Sequence, residues 1–338
     1  MNISIIAFTD RGRELSKCIA SQLSGHVVKL YAKAEGFLPY DSLNCFAQRA
    51  MTEDDAVIFV GAAGIAVRAI APFVRRKDLD PAVLVIDENG RFVISLLSGH
   101  IGGANRLTEQ LSHQLHAIPV VTTATDGRGL FAADQWAVEH RCTVRNLRAI
   151  SCISGALLRG ESVGLQSDFP ITGTLPDGVI LDSTPENGIG ISIYQWETNP
   201  FPHTLWLTPT IVHVGIGCRR NTLPEQLITW AQMQLQNLHI DSDAIASVAS
   251  IDLKQDEAAV HQLAEEWHVP AVFYTAHQLE QIEGNFPPSE FVRKITGTDN
   301  VCQRAAAKAA ENGICLLEKT VQDGMTISIY CEEWRTAF

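Results

Sequence analysis

Residues 96–105, LLSGHIGGAN, set one histidine among three glycines directly after an apolar run. Core packing does not require that combination. His100 is the side chain there that gives or takes a proton near neutral pH. Its ordinary pKa of about 6.5 suits general acid–base work. Gly99, Gly102 and Gly103 remove side chains, so backbone N–H groups can approach a ligand. Ser98 and Asn105 add a hydroxyl and an amide. Residues 119–126, PVVTTATD, end a strand in Thr122, Thr123 and Asp126. Asp126 beside His100 would orient the imidazole or help activate a water. Capping of the next segment is its competing role.

Other loops offer groups that hold rather than react. VGAAGIAVR (residues 60–68) has Gly61 and Gly64 in a turn and Arg68 beyond it, placed to grip a carboxylate bidentately. A tight turn with a surface arginine is the plainer reading. GIGCRR places Gly215, Gly217, Arg219 and Arg220 together; it lacks the third glycine of a dinucleotide fingerprint. Two arginines there suit a polycarboxylate better than a neutral cofactor face. Cys218 has no assignable base and reads as a bystander thiol. Asp252 and Lys254 follow another strand. Gly297, Thr298 and Asp299 open a helix whose N–H groups could receive an anion. His113 and His116 lack a third ligand, so no metal site is expected.

The elements that must position these loops alternate strand and helix, which favours α/β. Strands are expected at 3–8, 26–31, 56–62, 82–87, 91–97 and 119–123, with helices at 13–23, 43–51 and 106–116. Glu88-Asn89-Gly90 reads as a hairpin turn. In open α/β sheets ligands bind at the carboxyl ends of strands, and the loops above follow strands. Short strands separated by turns fill 136–208, with 199–203 as a linker. Strand, glycine turn and helix resume at 211, where Thr222 and Glu225 fit a capping box around Pro224. Three domains are expected: 1–135, Rossmann-like α/β; 136–208, small α+β; and 209–338, three-layer α/β/α.

The chain has 338 residues, 46% hydrophobic and 19% charged, which bounds a globular protein of more than one core. A net charge of −12 argues against nucleic-acid or anionic-membrane partners. The longest apolar run, twelve residues ending at Arg68, is too short to span a bilayer. The eight cysteines form no C-x-x-C pair, and the amino terminus lacks the pattern of an export signal. Reduced thiols in the cytoplasm are expected.

Six blocks occur in order: FVGAAGIAVRAIAP, KDLDPAVLVIDENGRFVISLLSGHIGGANRLTEQL, PVVTTATD, GIGCRR, ASIDLK and GTDNVCQRAA. Together they resemble the CbiG family, the cobalt-precorrin-5A hydrolases of the oxygen-independent cobalamin pathway. The sequence departs from the family's usual pattern at Ala62-Ala63, Asn221 and Gln303. The resemblance implies that water opens a δ-lactone on ring A of a cobalt-corrinoid and that a two-carbon unit leaves as acetaldehyde. Cobalt arrives with the substrate, so no protein cofactor is expected; neighbouring pathway enzymes are expected as transient partners. From residue chemistry, His100 is the expected base with Asp126 assisting, and Gly102 and Gly103 N–H groups are the oxyanion donors. Arg68, Arg219, Arg220 and residues 297–299 would hold peripheral carboxylates. A non-catalytic corrinoid carrier and a nucleotide-dependent enzyme are the alternatives.

Overall fold

The computed structural model describes residues 1–76, 79–122 and 130–338, apart from the side chain of Phe291. The chain divides into two compact units, Met1–Val138 and Glu139–Phe338.

In the first unit β1 (Asn2–Ala7), α1 (Asp10–Gln22), β2 (Val27–Tyr31), α2 (Leu43–Glu53), β3 (Ala56–Val60) and α3 (Ala63–Ile70) alternate. Then come β4 (Ala82–Ile86), β5 (Phe92–Leu97), α4 (Ala104–Leu115), β6 (Ile118–Val120) and α5 (Ala133–Glu139). The six strands form one sheet in the order β2-β1-β3-β4-β5-β6. AVIFV and AVLVI are buried along their whole length because helices cover both faces. Ile3, Ile5, Ile58, Leu84 and Ile86 pack with Ile19 of α1 and Leu107 and Leu111 of α4. Ile6, Val57, Phe59 and Val85 point the other way, onto Phe46 and Met51 of α2 and Ile70 of α3.

The sheet is not parallel throughout. β1 to β4 run together, but β5 pairs antiparallel with β4, Ile86 opposite Val93 and Val83 opposite Leu97. The reversal is the hairpin read from Glu88-Asn89-Gly90. Asp87 Oδ1 accepts the N–H groups of Arg91 (2.7 Å) and Phe92 (2.8 Å), and Gly90 takes φ +66°. β6 runs parallel to β5, so both end at the amino edge of the other four strands.

The second unit carries two five-stranded sheets. The first part comprises β7 (Cys142–Val144), α6 (Leu147–Leu158), β8 (Val163–Ser167), β9 (Ile171–Thr172), β10 (Val179–Ile180), β11 (Asn187–Ile191) and β12 (His203–Pro209). Its sheet order is β10-β8-β11-β12-β7. The segment read as a linker at 199–203 is not loose: Phe201 is 2% exposed and its ring fills the space beside Gly164 and Gly188. Thr204 Oγ1 ties it further, accepting from Phe201 N–H at 3.1 Å.

The chain then forms β13 (Val212–Gly217), α7 (Pro224–Asn237), β14 (Ile245–Ile251), α8 (Ala258–Glu266), β15 (Ala271–Tyr274), α9 (Ala276–Glu280), α10 (Glu290–Thr296) and α11 (Val301–Ala309). It closes with β16 (Ile314–Gln322), β17 (Met325–Cys331) and β18 (Thr336–Ala337), the last paired with β9. The second sheet runs β15-β14-β13-β17-β16, with β13, β14 and β15 parallel. Leu227 and Trp230 of α7 and Val260 and Leu263 of α8 bury one face of it. α11 crosses the other so closely that a Cβ on Gly215 would lie 1.8 Å from the Cys302 carbonyl oxygen. This is the α/β/α layering expected of the carboxyl-terminal segment.

Candidate functional site

The loop after β5 closes on itself before α4 begins. Gly103 N–H donates to the His100 carbonyl (2.9 Å), Ala104 N–H to Ser98 (3.1 Å) and Asn105 N–H to Gly99 (2.9 Å). The glycines serve this closure. A Cβ on Gly99 would lie 2.7 Å from Asn105 Oδ1, and one on Gly102 would lie 2.4 Å from Ser98 Cβ. Gly103 takes φ +80°, where L side chains are strained. The space that a side chain would take at Gly99 and Gly102 is therefore already filled by the loop itself. The Gly103 N–H, expected as an oxyanion donor, is spent on His100; the Gly102 N–H is not used by these three bonds. Asn105, 5% exposed, serves the framework, its Oδ1 accepting from Ser95 Oγ at 2.6 Å.

The closure leaves His100 facing a carboxylate that sequence reasoning missed. His100 Nδ1 donates to Asp134 Oδ2 at 3.1 Å, with the two side chains 15% and 6% exposed. A carboxylate only accepts, so Nδ1 carries a proton, and in the neutral form of the ring the lone pair is on Nε2. That is the tautomer of an oriented general base. Asp134 stands in the first turn of α5 among buried Ala133, Trp136 and Ala137. A carboxylate inside an apolar helical face is rare unless it is paired, and that was the available signal. Asp126 and Thr123 lie outside the described residues. Thr122 is exposed just beyond β6.

Because β5 and β6 are reversed, His100 lies at the amino edge of β1 to β4. There Gly102 and Gly103 line a cavity of about 450 Å³ together with Asp54, Asp80 and Arg106. Gly61, Gly64 and Arg68 follow β3 and lie at the opposite edge. The five residues of β4 separate the two edges by roughly 15 Å. Arg68 is exposed and folds back on its own helix, Nη1 donating to the Gly64 carbonyl at 3.3 Å. The structure does not bring these three residues to His100.

In the second unit Gly217 ends β13, and Arg219, Arg220, Asp252 and Lys254 follow β13 and β14 at their carboxyl edge. Gly217 sits where a Cβ would lie 2.5 Å from Thr326 Oγ1. Beyond it Arg219 and Arg220 line a shallow depression of about 220 Å³. Arg219 lies across Gly324 in the β16–β17 turn, its Nε 2.5 Å from where a Cβ would stand. Asn221 takes φ +59° and its N–H donates to Glu257 Oε1 at 3.0 Å. The other oxygen of Glu257 accepts from Lys254 Nζ at 3.0 Å. Lys254 is thus neutralised within the protein rather than offered to a ligand. Asp252 opens the turn Asp252–Lys254 after β14. Burial pushes the Cys218 thiol up, and Lys254 only partly offsets it, which disfavours a thiolate nucleophile.

Two expectations on helix starts change. Leu223 is the N-cap of α7 and offers no side-chain cap, and Thr222 Oγ1 donates instead to the Arg219 carbonyl at 2.8 Å. Gly297 does not open α11 but closes α10, in the left-handed conformation of a C-cap. Asn300 is the N-cap of α11, its Oδ1 accepting from Gln303 N–H. Thr298 is fully buried, and Asp299 binds Arg304 (3.1 Å) and Arg293 (3.5 Å). A carboxylate of the chain itself therefore stands before this helix.

A third cluster carries the composition of a hydrolytic triad. His213 shares a hydrogen bond with Ser247 Oγ (2.8 Å) and another with Glu332 Oε1 (3.1 Å), and Glu332 also pairs with Arg141 (2.6 Å). Ser247 is 4% exposed and its hydroxyl is engaged by His213 inside the fold. Burial lowers the His213 pKa more than Glu332 raises it. Among the described residues no group of three His, Cys, Asp or Glu could hold a metal ion, and no helix is long and apolar enough to cross a membrane.

Residues 45–126 match the family described as Cobalamin synthesis G N-terminal, and residues 212–330 match Cobalamin synthesis G C-terminus. The chain is 38% identical to the cobalt-precorrin-5A hydrolase of Salmonella typhimurium, over 97% of each sequence. It is 28% identical to the enzyme of that name from Priestia megaterium, over 81% of this chain and 77% of the other. Among solved structures, a cobalamin biosynthesis protein G homolog from Sulfolobus solfataricus is 23% identical, with a TM-score of 0.44 over 98% of this chain and 97% of that one.

Proposed function

The chain belongs to the cobalamin synthesis G family, and from that membership we propose that it is a cobalt-precorrin-5A hydrolase of cobalamin biosynthesis. The observation that carries this reading is the 38% identity over 97% of both sequences. Both family segments lie in order along one chain.

The reaction needs an activated water, a donor for the oxyanion of the opening lactone, and a hold on peripheral carboxylates. His100 Nε2 takes the proton from the attacking water while Asp134 fixes the ring and stabilises the imidazolium. The Gly102 N–H, at the cavity wall, is the oxyanion donor. Water adds to the lactone carbonyl, and collapse of the tetrahedral intermediate frees a carboxylic acid, which ionises, and an alkoxide, which takes the proton held by the imidazolium to become the alcohol. A base then removes the alcohol proton, the C–C bond to the macrocycle breaks, and acetaldehyde departs while the ring accepts the electron pair. In the second unit Arg219 and Arg220 are the guanidiniums available to carboxylates. Cobalt belongs to the substrate, and no protein-held cofactor enters any step. The cytoplasm is the proposed location.

Anaerobic incubation with cobalt-precorrin-5A tests this, with acetaldehyde and corrinoid mass as the readouts. Stoichiometric acetaldehyde with loss of a two-carbon unit is the expected result. Tight binding without acetaldehyde would replace the hydrolase by a corrinoid carrier.

A further inference from the structure

We propose that the carboxyl edge of the sheet β15-β14-β13-β17-β16 is a docking surface for the apolar face of a polycarboxylate corrinoid, and that it holds substrate and lactone-opened product alike. The corrinoid as occupant rests on the function proposed above; the surface rests on geometry. Leu223 and Leu253 are 61% and 60% exposed, in two neighbouring loops. Glu257 locks those loops together, accepting from Asn221 N–H in one and from Lys254 Nζ in the other, both at 3.0 Å. Arg219 and Arg220 lie beside Leu223 in the same depression. Among the described residues neither guanidinium has an ion-pair partner, although the chain holds 38 carboxylate side chains against 26 lysines and arginines.

This arrangement asks for a ligand with an apolar body and carboxylates at its rim. Apolar contact removes the exposed leucines from water, and planar guanidiniums take carboxylates bidentately. The turns are set in advance: Asn221 at φ +59°, and Gly324 at φ +83° beneath Arg219. Little ordering is left to be done on binding. Lys254 is tied to Glu257 and burial raises the Cys218 thiol, so neither is offered to the ligand, while Asp323 lines the same depression as the arginines. The surface therefore contributes binding, shared by lactone and opened product.

The test uses the full chain and cobyrinic acid, a cobalt-corrinoid polycarboxylate without the lactone. Binding is titrated for the wild type, the double variant Leu223→Ser/Leu253→Ser, and Leu181→Ser, whose side chain is 61% exposed outside this surface. The double variant should bind at least about tenfold more weakly. Leu181→Ser should match the wild type, and a shared unfolding midpoint shows that all three fold. Equal affinity of wild type and double variant would overturn the proposal, as would a wild type that does not bind cobyrinic acid. Acetaldehyde release by the wild type is read separately, so the hydrolase can stand while the docking surface falls, or the reverse.

Discussion

The hydrogen bond from His100 to Asp134 decides which ring nitrogen can act. Asp134→Asn keeps the size of the side chain but offers an amide N–H, which favours the other tautomer and removes the lone pair from Nε2. Steady-state acetaldehyde release should fall by about 10²–10⁴-fold in kcat, and His100→Ala should fall comparably. An Asp134→Asn enzyme with wild-type kcat would remove Asp134 from the mechanism. Arg68→Ala makes the contrast: Arg68 lies at the far edge of the sheet, so kcat/KM should be unchanged. A marked rise in KM would show that the ligand reaches both edges. His100 is legible in the sequence because its glycine-rich setting is local. Asp134 is not, since its partner lies 34 residues away and only the closed loop brings the two together.

At the scale of elements, one hairpin relocates the site. The turn at Glu88-Asn89-Gly90 is readable, and it reverses β5. The expectation that every functional loop shares a carboxyl edge overlooks that reversal. Gly215 shows the same lesson in packing. In the sequence it reads as a turn near a ligand, yet its missing side chain admits α11. Gly215→Ala should destabilise the protein by at least about 1–3 kcal/mol, read from denaturant unfolding, because the added Cβ meets backbone rather than a side-chain tip. His213 supplies a pH test. Its folded pKa is lowered below the ordinary value of about 6.5, so the unfolded chain binds the proton more readily. The stability His213 contributes is full above about pH 6.5 and is lost as pH falls from there through its folded pKa. Unfolding midpoints measured from pH 8 down to 5, as an approximate range, should fall less steeply in His213→Gln than in the wild type. Parallel curves would show that His213 does not set this dependence.

At the scale of the molecule, charge and site disagree in sign, and the disagreement is informative. A chain of net charge −12 repels an anionic substrate at long range, while Arg219 and Arg220 attract it locally. Added salt screens both. The exposed guanidiniums act at close range and dominate the bound state, so KM should rise with ionic strength while kcat stays level. A KM that falls with salt would mean that the overall repulsion governs binding.

What the sequence determined by itself is local or additive. Apolar runs such as AVIFV and AVLVI specify buried strands, the glycine and histidine content of LLSGHIGGAN marks a reactive loop, and the ordered blocks carry the family. What the tertiary structure decided is which of these meet. It paired His100 with Asp134, put Arg68 at the opposite edge and brought the Asn221 N–H to Glu257. The reason is physical. Periodicity and turn chemistry act between residues a few positions apart, whereas the partner of a polar side chain is set by strand direction and chain reversal over tens of residues.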